Sequence, residues 1–149
     1  MNANVNSMTP FAGIQQAAAL PYVIRGNKLC LLVVTSLGTK RWVLPKGNID
    51  PGLTAWESAE FEAHEEAGVM GRMTVRSIGA YTYRKSDEKD GLYRVRVFPL
   101  EVLRELDEYP EAARRKRKWM KTEKAIKAVR EPELKALIVR FAERFELNS

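Results

Sequence analysis

Residues 54–68 constrain the fold more than any other stretch, because the sequence marks both ends of a helix there. Thr54 and Glu57 fit the S/T-x-x-E capping box, in which each side chain bonds to the other residue's backbone N–H at a helix start. Gly68 suits the left-handed position at which helices commonly end. The sequence therefore predicts a helix that begins after Thr54 and runs to about Ala67.

The second half of this helix, in the stretch FEAHEEAG, carries three glutamates with no Lys or Arg between them: Glu62, Glu65 and Glu66. At about 100° per residue their carboxylates fall within an arc of roughly 100°, whereas His64 is predicted to point away from them into solvent. Like charges at these spacings repel each other. Either the stretch is a solvated acidic face, or it binds a cation such as Mg²⁺, which proteins hold by one or two carboxylates, waters and substrate phosphates.

Strands are predicted on both sides of this helix. Four apolar runs qualify: residues 16–26, 28–36, 73–85 and 92–102. Gly26 and Asn27 form a hairpin turn signal between the first two runs, and the polar residues 86–91 predict a turn between the last two. Arg94 and Arg96 alternate with valines in the last run, so both arginines are predicted on one face of the sheet.

The C-terminal third is predicted to form two helices. Thr122 is suited to cap a short helix over about 123–130, and Pro132 suits the first turn of the last helix. Five apolar residues then recur at helical spacing and predict a stripe that packs on the core. They are Leu134, Leu137, Ile138, Phe141 and Phe145. Strands followed repeatedly by helices predict one domain over residues 14–149, with a sheet covered on both faces, after a flexible segment over residues 1–13.

Composition limits the partners and the compartment. The 25 Lys and Arg against 19 Asp and Glu give a net charge of +6, which indicates a polyanionic partner such as nucleic acid, an acidic membrane surface or a phosphate-rich small molecule. The single cysteine, Cys30, excludes an intrachain disulfide and favours a reducing compartment, so a cytoplasmic location is expected. With one histidine as well, a zinc site of Cys and His is excluded. The sequence has no run of about 18 apolar residues, so no transmembrane helix is predicted.

The glycine-rich loop before the helix gives the glutamates a context. Gly47 stands 15 residues before Glu62, and the acids continue as E-x-x-E-E-x-G-V to Val69. Residues 47–69 thereby resemble the Nudix box, G-x5-E-x7-R-E-U-x-E-E-x-G-U, where U is a bulky aliphatic residue. The stretches RWVLPKGNIDPG and VFPLEV, together with residues 114–129, are similar to the diphosphoinositol polyphosphate phosphohydrolase branch of that family.

Two charged positions depart from the box, and Ala63 is small where the box has a bulky aliphatic residue. Leu53 stands where the family has its first glutamate, and Phe61 stands where it has an arginine that commonly steadies the acids. Loss of an acid and a base together avoids an unpaired charge, which would be costly if buried. We therefore expect the two apolar side chains to substitute for the charged ones and to keep the helix in place.

The resemblance implies a fold, an activity and a set of roles. The fold is of the α/β (α+β) class, an α/β/α sandwich with a mixed β-sheet, and the activity is Mg²⁺-dependent hydrolysis of a diphosphate bond in a polyphosphorylated small molecule, with Mn²⁺ as an alternative metal. Glu62 and Glu66 are the implied metal ligands, helped by a main-chain carbonyl of Lys46 or Gly47, and Glu65 is the implied general base. The residues expected to bind the substrate's phosphates are Arg41, Lys46, Arg84, Arg94, Arg96, Arg115 and Arg117.

Within this reading the substrate is of the diphosphoinositol polyphosphate or dinucleoside polyphosphate type, and alternatives stay open. A nucleoside triphosphate or RNA 5′-end pyrophosphohydrolase would need an aromatic slot for a base, which Trp42, Tyr81 or Tyr83 could supply. A non-catalytic Nudix-like module would bind the ligand without turnover. A plain nucleic-acid binder, suggested by the stretch RRKRK, is the least favoured, and the oligomeric state is left open.

Overall fold

The computed structural model describes residues 11–85 and 91–146, over which the chain forms a mixed sheet and three helices. The predicted flexible segment lies mostly outside these residues, and so does most of the predicted turn at 86–91. The strands are β1 (Ile14–Arg25), β2 (Lys28–Thr35), β3 (Trp42–Val43), β4 (Lys46–Asn48), β5 (Val69–Met73), β6 (Gly79–Arg84), β7 (Leu92–Glu105) and β8 (Arg117–Lys121). The helices are α1 (Ala55–Glu62), α2 (Thr122–Ala128) and α3 (Pro132–Glu146). Within the described part of the chain, no helix is long and apolar enough to cross a membrane.

Strand β1 lies at the centre of the sheet. It pairs antiparallel with β2 through the predicted hairpin, in which Arg25 faces Lys28 and both turn residues, Gly26 and Asn27, have positive φ angles of 54° and 67°. On its other edge β1 pairs in parallel with β7, so the sheet is mixed, as expected. The strand order is β3-β2-β1-β7-β5, with β4 added to β1, β6 to β7 and β8 to β2.

Alternate residues of the central strands feed two separate cores, one on each face of the sheet. On one face Ala59 of α1 and Ala63 and Ala67 of the helical turn that follows it pack against Ala17 and Ala19 of β1. All five alanines are fully buried, and their small side chains allow the helix to approach the strand closely. This contact fixes the height of the acid-bearing helix above the sheet.

On the opposite face α2 and α3 cover the sheet. The predicted stripe of α3 is confirmed, since Leu134, Leu137, Ile138 and Phe141 are each no more than 3% exposed and Phe145 packs at the edge of the same core. Burying each such side chain stabilises the fold by about 2 kcal/mol. With one helix on one face and two on the other, the predicted α/β/α sandwich is confirmed.

The single strand predicted over residues 73–85 is wrong in its bounds. Strand β5 already begins at Val69, and β6 follows only at Gly79, although both run antiparallel to the same edge of β7. The interruption faces Pro99 of β7, which has no backbone N–H to donate to a neighbouring strand. The Pro99 carbonyl instead accepts the N–H of Thr74, and the chain rejoins the ladder when the Ile78 N–H reaches Val97.

Helix α1 begins as predicted and ends in an unexpected way. Thr54 Oγ1 accepts the N–H of Glu57 at 3.1 Å, and the Glu57 carboxylate accepts the N–H of Thr54 at 2.8 Å, which is a complete capping box. The helix then widens into a π-helical turn over Ala63–Ala67 before Gly68 ends it with a φ of 65°. Such π turns occur frequently at functional sites, and this one carries two of the three glutamates.

The segment after β7 differs most from expectation. Residues of the basic stretch form β8, which pairs with β2 and was not predicted as a strand. Thr122 is not the N-cap of α2, because Lys121 holds that position and the Thr122 hydroxyl donates to the carbonyl of Leu29 at 3.2 Å instead. The threonine thereby ties α2 to β2.

Candidate active site

The glycine-rich loop and the acidic helix meet at Gly47. Strand β4 lies beside β1, with Gly47 opposite Ala17, and this pairing brings the loop under α1. A Cβ atom on Gly47 would lie 2.5 Å from Cδ of Glu62 and closer still to its Oε2. The absence of a side chain at position 47 therefore makes the room that the Glu62 carboxylate occupies.

Glu66 is the most enclosed of the three acids, with 6% of its surface exposed. Its Oε1 accepts the backbone N–H of Lys46 at 3.1 Å, and its Oε2 lies 3.6 Å from Nη2 of Arg115. The pKa of Glu66 is raised to about 8, mainly by burial; Arg115 opposes this shift, and a hydrogen bond with Glu62 contributes to it. Burial likewise raises the pKa of Glu62. The two carboxyl groups thus face each other at hydrogen-bonding distance.

Glu65 is more accessible than Glu66. Its side chain is 26% exposed, and its charge helps to raise the pKa of Glu62, after the larger effects of burial and of Glu111. The prediction that His64 points away from the acids is wrong, since its Nδ1 lies 3.5 Å from Oε2 of Glu65. The π turn departs from the 100° per residue on which that prediction rested. Glu65 therefore has both a neighbouring polar partner and access to water.

The segment between β7 and β8 is fastened to the end of the acidic helix. Its backbone N–H groups of Glu111 and Leu106 donate to the carbonyls of Glu65 and Gly68 at 3.0 and 2.8 Å. Arg117 donates to the carbonyl of Ala67 at 2.8 Å. Carbonyls at a helix end lack hydrogen-bond donors within the helix. Here residues more than 35 positions later in the chain supply those donors.

Arg117, expected to bind substrate, is occupied by this fastening. Besides the Ala67 carbonyl, its guanidinium lies over the ring of Tyr109 at 4.7 Å and approaches Glu105 at 3.5 Å. Tyr109 in turn covers Gly68, where a Cβ atom would collide with the ring. We therefore do not carry Arg117 into the candidate substrate site. Sequence reasoning missed Tyr109 and Glu111, which no local pattern singles out.

Lys46 and Arg41 form a second polar group on the other face of β4. Because adjacent strand residues point to opposite faces, the Lys46 side chain points away from the face of Gly47 and Glu62. Its Nζ lies 5.1 Å from the ring centre of Tyr83. Burial lowers the pKa of Lys46, whereas nearby Glu66 opposes the shift. Arg41 pairs with the buried Glu131 at 2.9 Å, and its Nη1 is buried without a hydrogen-bond partner. It is the one buried side-chain polar atom without a hydrogen-bond partner in the described part of the chain.

The remaining predicted arginines lie along β6 and β7, and all three are exposed. Arg96 pairs with Ala17, whose other neighbour is Gly47, so the three residues form one row across the sheet. At about 4.8 Å per strand, Arg96 stands roughly 10 Å from Gly47. Arg94 lies over the ring of Phe11, and Arg84 lies at the far end of β6. Of the three, only Arg96 lies in register with Gly47.

A basic pocket of about 410 Å³ opens beside Arg115. Its polar lining is cationic apart from Thr35, and Trp42 forms one wall. The lining cations are Lys40, Arg114, Arg115 and Lys116. A larger cavity of about 550 Å³ lies between the hairpin turn and helices α2 and α3. None of the three acids lines either cavity, but Arg115 of the smaller one lies 3.6 Å from Glu66.

The donor set fits a hard divalent cation. Over residues 11–85 and 91–146, no group of three or more His, Cys, Asp or Glu side chains converges as a closed metal cage. Two facing carboxylates, Glu62 and Glu66, with the cradle at Gly47, match a cation that completes its shell with waters, a carbonyl and substrate phosphates. The mutual contact of two acids without a counter-ion on their own helix supports this fit. Leu53 and Phe61 are 38% and 49% exposed, so the expectation that they hold the helix in place is wrong. The buried alanines and the β7–β8 segment hold it instead.

The raised pKa of Glu66 predicts how stability depends on pH in metal-free protein. Because the folded-state pKa is about 8 against an ordinary 4.5, the folded state binds more protons between these values, and the free energy of unfolding falls as pH rises through this window. Chemical denaturation with a chelator present should show wild type losing roughly 2–4 kcal/mol across it. Glu66→Gln should flatten this dependence, whereas Glu60→Gln, an exposed acid of the same helix, should leave it unchanged. An equally steep profile in Glu66→Gln would contradict the assignment.

Comparison with known proteins agrees with this geometry. The model of the NUDIX domain family matches residues 14–141. Nudix hydrolase 12, mitochondrial, of Arabidopsis thaliana is 35% identical over 109 residues, which are 70% of this chain and 54% of that protein, so the chain spans about half the length of this relative. The human diphosphoinositol polyphosphate phosphohydrolase 3-alpha is 32% identical over 117 residues, 77% of this chain and 68% of that protein.

Among solved structures, an Ap4A hydrolase binary complex from C. elegans superposes with a TM-score of 0.68 at 23% identity, over 89% of this chain and 98% of that one. This likeness supports the fold, and the match of the family model to most of the chain supports the ancestry. The prediction made from the glycine and glutamate spacing is confirmed: the chain belongs to the NUDIX domain family.

Proposed function

We propose that the protein is a divalent-metal-dependent hydrolase that cleaves a diphosphate bond in a polyphosphorylated small molecule. The observation that carries the proposal is the pair of facing carboxylates, Glu62 and Glu66, seated over Gly47, with Arg115 of the cationic pocket 3.6 Å from Glu66. Mg²⁺ is the proposed metal, with Mn²⁺ as the alternative. The names of the relatives, which include diphosphoinositol polyphosphate and Ap4A hydrolases, support the same chemistry.

The proposed reaction is attack of water on phosphorus. The cation, when bound by Glu62 and Glu66, would offset negative charge on the phosphate oxygens. Glu65 takes the proton from the attacking water, whose oxygen forms a new bond to phosphorus while the bridging P–O bond breaks and the departing phosphate keeps the electron pair. Its 26% exposed side chain suits this role, because the base must reach water.

The cationic pocket is the proposed site for the phosphates remote from the cleaved bond. Lys40, Arg114 and Lys116 line it together with Arg115, whose guanidinium also contacts Glu66. Guanidinium groups bind phosphate oxygens in pairs, and several cations in one pocket favour a substrate with several phosphates. The buried, unpartnered Nη1 of Arg41 and the exposed Arg96 are further proposed donors.

Nucleotide substrates are the second candidate, and Trp42 is the observation that favours them. It lines the same pocket, where its ring could stack on a base. Of the other predicted stacking residues, Tyr81 is 2% exposed and Tyr83 already stacks on Tyr93 at 5.0 Å between ring centres. A base would therefore have to use Trp42.

Phosphate release from a panel of substrates tests the proposal. The panel contains diphosphoinositol polyphosphates, diadenosine polyphosphates, nucleoside triphosphates and capped RNA, each with and without Mg²⁺. We expect metal-dependent release from the first two classes. Trp42→Ala should raise KM about tenfold for diadenosine substrates, since stacking contributes about 1–3 kcal/mol, and leave KM for the inositol substrates within twofold. Ligand binding without turnover at saturating metal would contradict the proposal in favour of a non-catalytic module. The cytoplasmic location stays a prediction.

A further inference from the structure

The acid-bearing helix contains no cation of its own. Between residues 55 and 67 the sequence has five glutamates, one histidine and no Lys or Arg. The side chain at 61, immediately before Glu62, is a phenylalanine with 49% of its surface exposed. Since a buried carboxylate without a counter-charge is costly, the charge that balances Glu66 has to come from another part of the chain.

Arg115 supplies this charge in a fixed orientation. Its Nη2 lies 3.6 Å from Glu66, and the two side chains are 11% and 7% exposed. Its Nε donates to Glu111 at 2.7 Å, and its Nη1 donates to the carbonyl of Thr35 at 3.1 Å. Three guanidinium nitrogens are thus engaged by three different residues, so the plane of the group is set independently of Glu66.

The backbone that carries Arg115 is also fixed relative to the helix. The Glu111 N–H donates to the carbonyl of Glu65, and the Arg115 N–H donates to the carbonyl of Glu111. A short chain of hydrogen bonds therefore connects the helix end, the arginine and the carboxylate. A surface arginine that drifts onto an acid would not have this arrangement.

The two oxygens of Glu66 are consequently held from two sides. Oε1 is held by the N–H of Lys46 in β4, and Oε2 faces Arg115. A carboxylate that is held at both oxygens cannot rotate freely, and here it is left facing Glu62. We propose that Arg115 is a positioning residue that fixes the metal-ligating carboxylate of Glu66 and replaces the cation missing from the helix. This proposal rests on the proposed role of Glu66 as a metal ligand.

Mn²⁺ affinity, measured by the electron paramagnetic resonance signal of the free ion, separates this role from others. We expect Arg115→Ala to weaken Mn²⁺ binding about 10- to 100-fold, the usual cost of removing a group that orients a metal ligand. Arg115→Lys should fall between wild type and Arg115→Ala, because lysine keeps the charge but cannot make the three separate contacts. Arg114→Ala is the matched control, since that exposed arginine lines the same pocket, and its Mn²⁺ affinity should stay within twofold of wild type.

The outcomes distinguish the two proposals. Equal losses in Arg114→Ala and Arg115→Ala would reduce the effect to general electrostatics and overturn the positioning role. Wild-type affinity in Arg115→Lys would do the same, and this variant carries the test if the alanine variant does not fold. Absence of Mn²⁺ binding in wild type would instead overturn the proposed function itself. Introducing Phe61→Arg into the Arg115→Ala protein should restore at least part of the lost affinity.

Discussion

Replacing Glu65 by glutamine is expected to lower the turnover number by about 10³-fold, within the range that a general base contributes. Glutamine keeps the shape of the side chain but cannot accept a proton from water. Metal binding should persist, because the proposed ligands are Glu62 and Glu66 and the latter remains held by Lys46 and Arg115. The expected result is therefore a loss in kcat without loss of stabilisation by Mg²⁺.

Two measurements check this prediction. Turnover at saturating Mg²⁺ reports the chemistry, and the shift of the thermal unfolding midpoint on adding Mg²⁺ reports metal binding. Glu60→Gln is the matched control, as an exposed glutamate on the same helix, and should change turnover by less than twofold. Turnover in Glu65→Gln equal to wild type would remove Glu65 from the mechanism, and loss of the Mg²⁺ shift would make it a metal ligand instead.

The features that the sequence predicted well are those with local signals. Thr54 and Glu57 lie three residues apart, and Gly68 needs only its own backbone freedom, so each can be recognised from a few letters. The turn signal at Gly26 and Asn27 between two apolar runs identified a hairpin, and the stripe of α3 identified a core-facing helix. These interactions act within one element or between neighbours along the chain.

The features that were missed depend on contacts between distant segments. Arg115 and Glu66 are 49 residues apart, and their pairing depends on how β8 docks against β2 and how the β7–β8 segment meets the helix. Pro99 interrupts the neighbouring strand because it has no backbone N–H to donate to that strand. The basic stretch was interpreted as one substrate-binding cluster, whereas the fold turns Arg117 towards the helix end and Arg115 towards Glu66. The sequence shows that these side chains are positively charged, but it does not show which way each of them points.

Replacing Gly47 by alanine is the sharpest test of the loop–helix contact, because the added methyl group meets the Glu62 side chain first. Its three nearest neighbours are all atoms of the Glu62 side chain, from Oε2 to Cγ. A flexible side chain can rotate away at small cost, so we expect the fold to survive with a loss of at most about 1–3 kcal/mol, as in other overpacked sites.

The cost should appear in the site rather than in the fold. A displacement of about 1 Å at a catalytic centre can lower activity by 10²-fold, and we expect a loss of at least this size in kcat/KM together with weaker metal binding. Gly52→Ala is the matched control, since a Cβ atom there meets nothing within 4 Å and its φ is not in the left-handed region. If Gly47→Ala kept wild-type activity and metal affinity, Glu62 could not be a ligand in the position that it occupies over β4. If the protein unfolded instead, the glycine would serve the strand pairing of β4 with β1 rather than the acid. Only loss of metal binding in a folded protein agrees with a glycine kept free for the carboxylate above it.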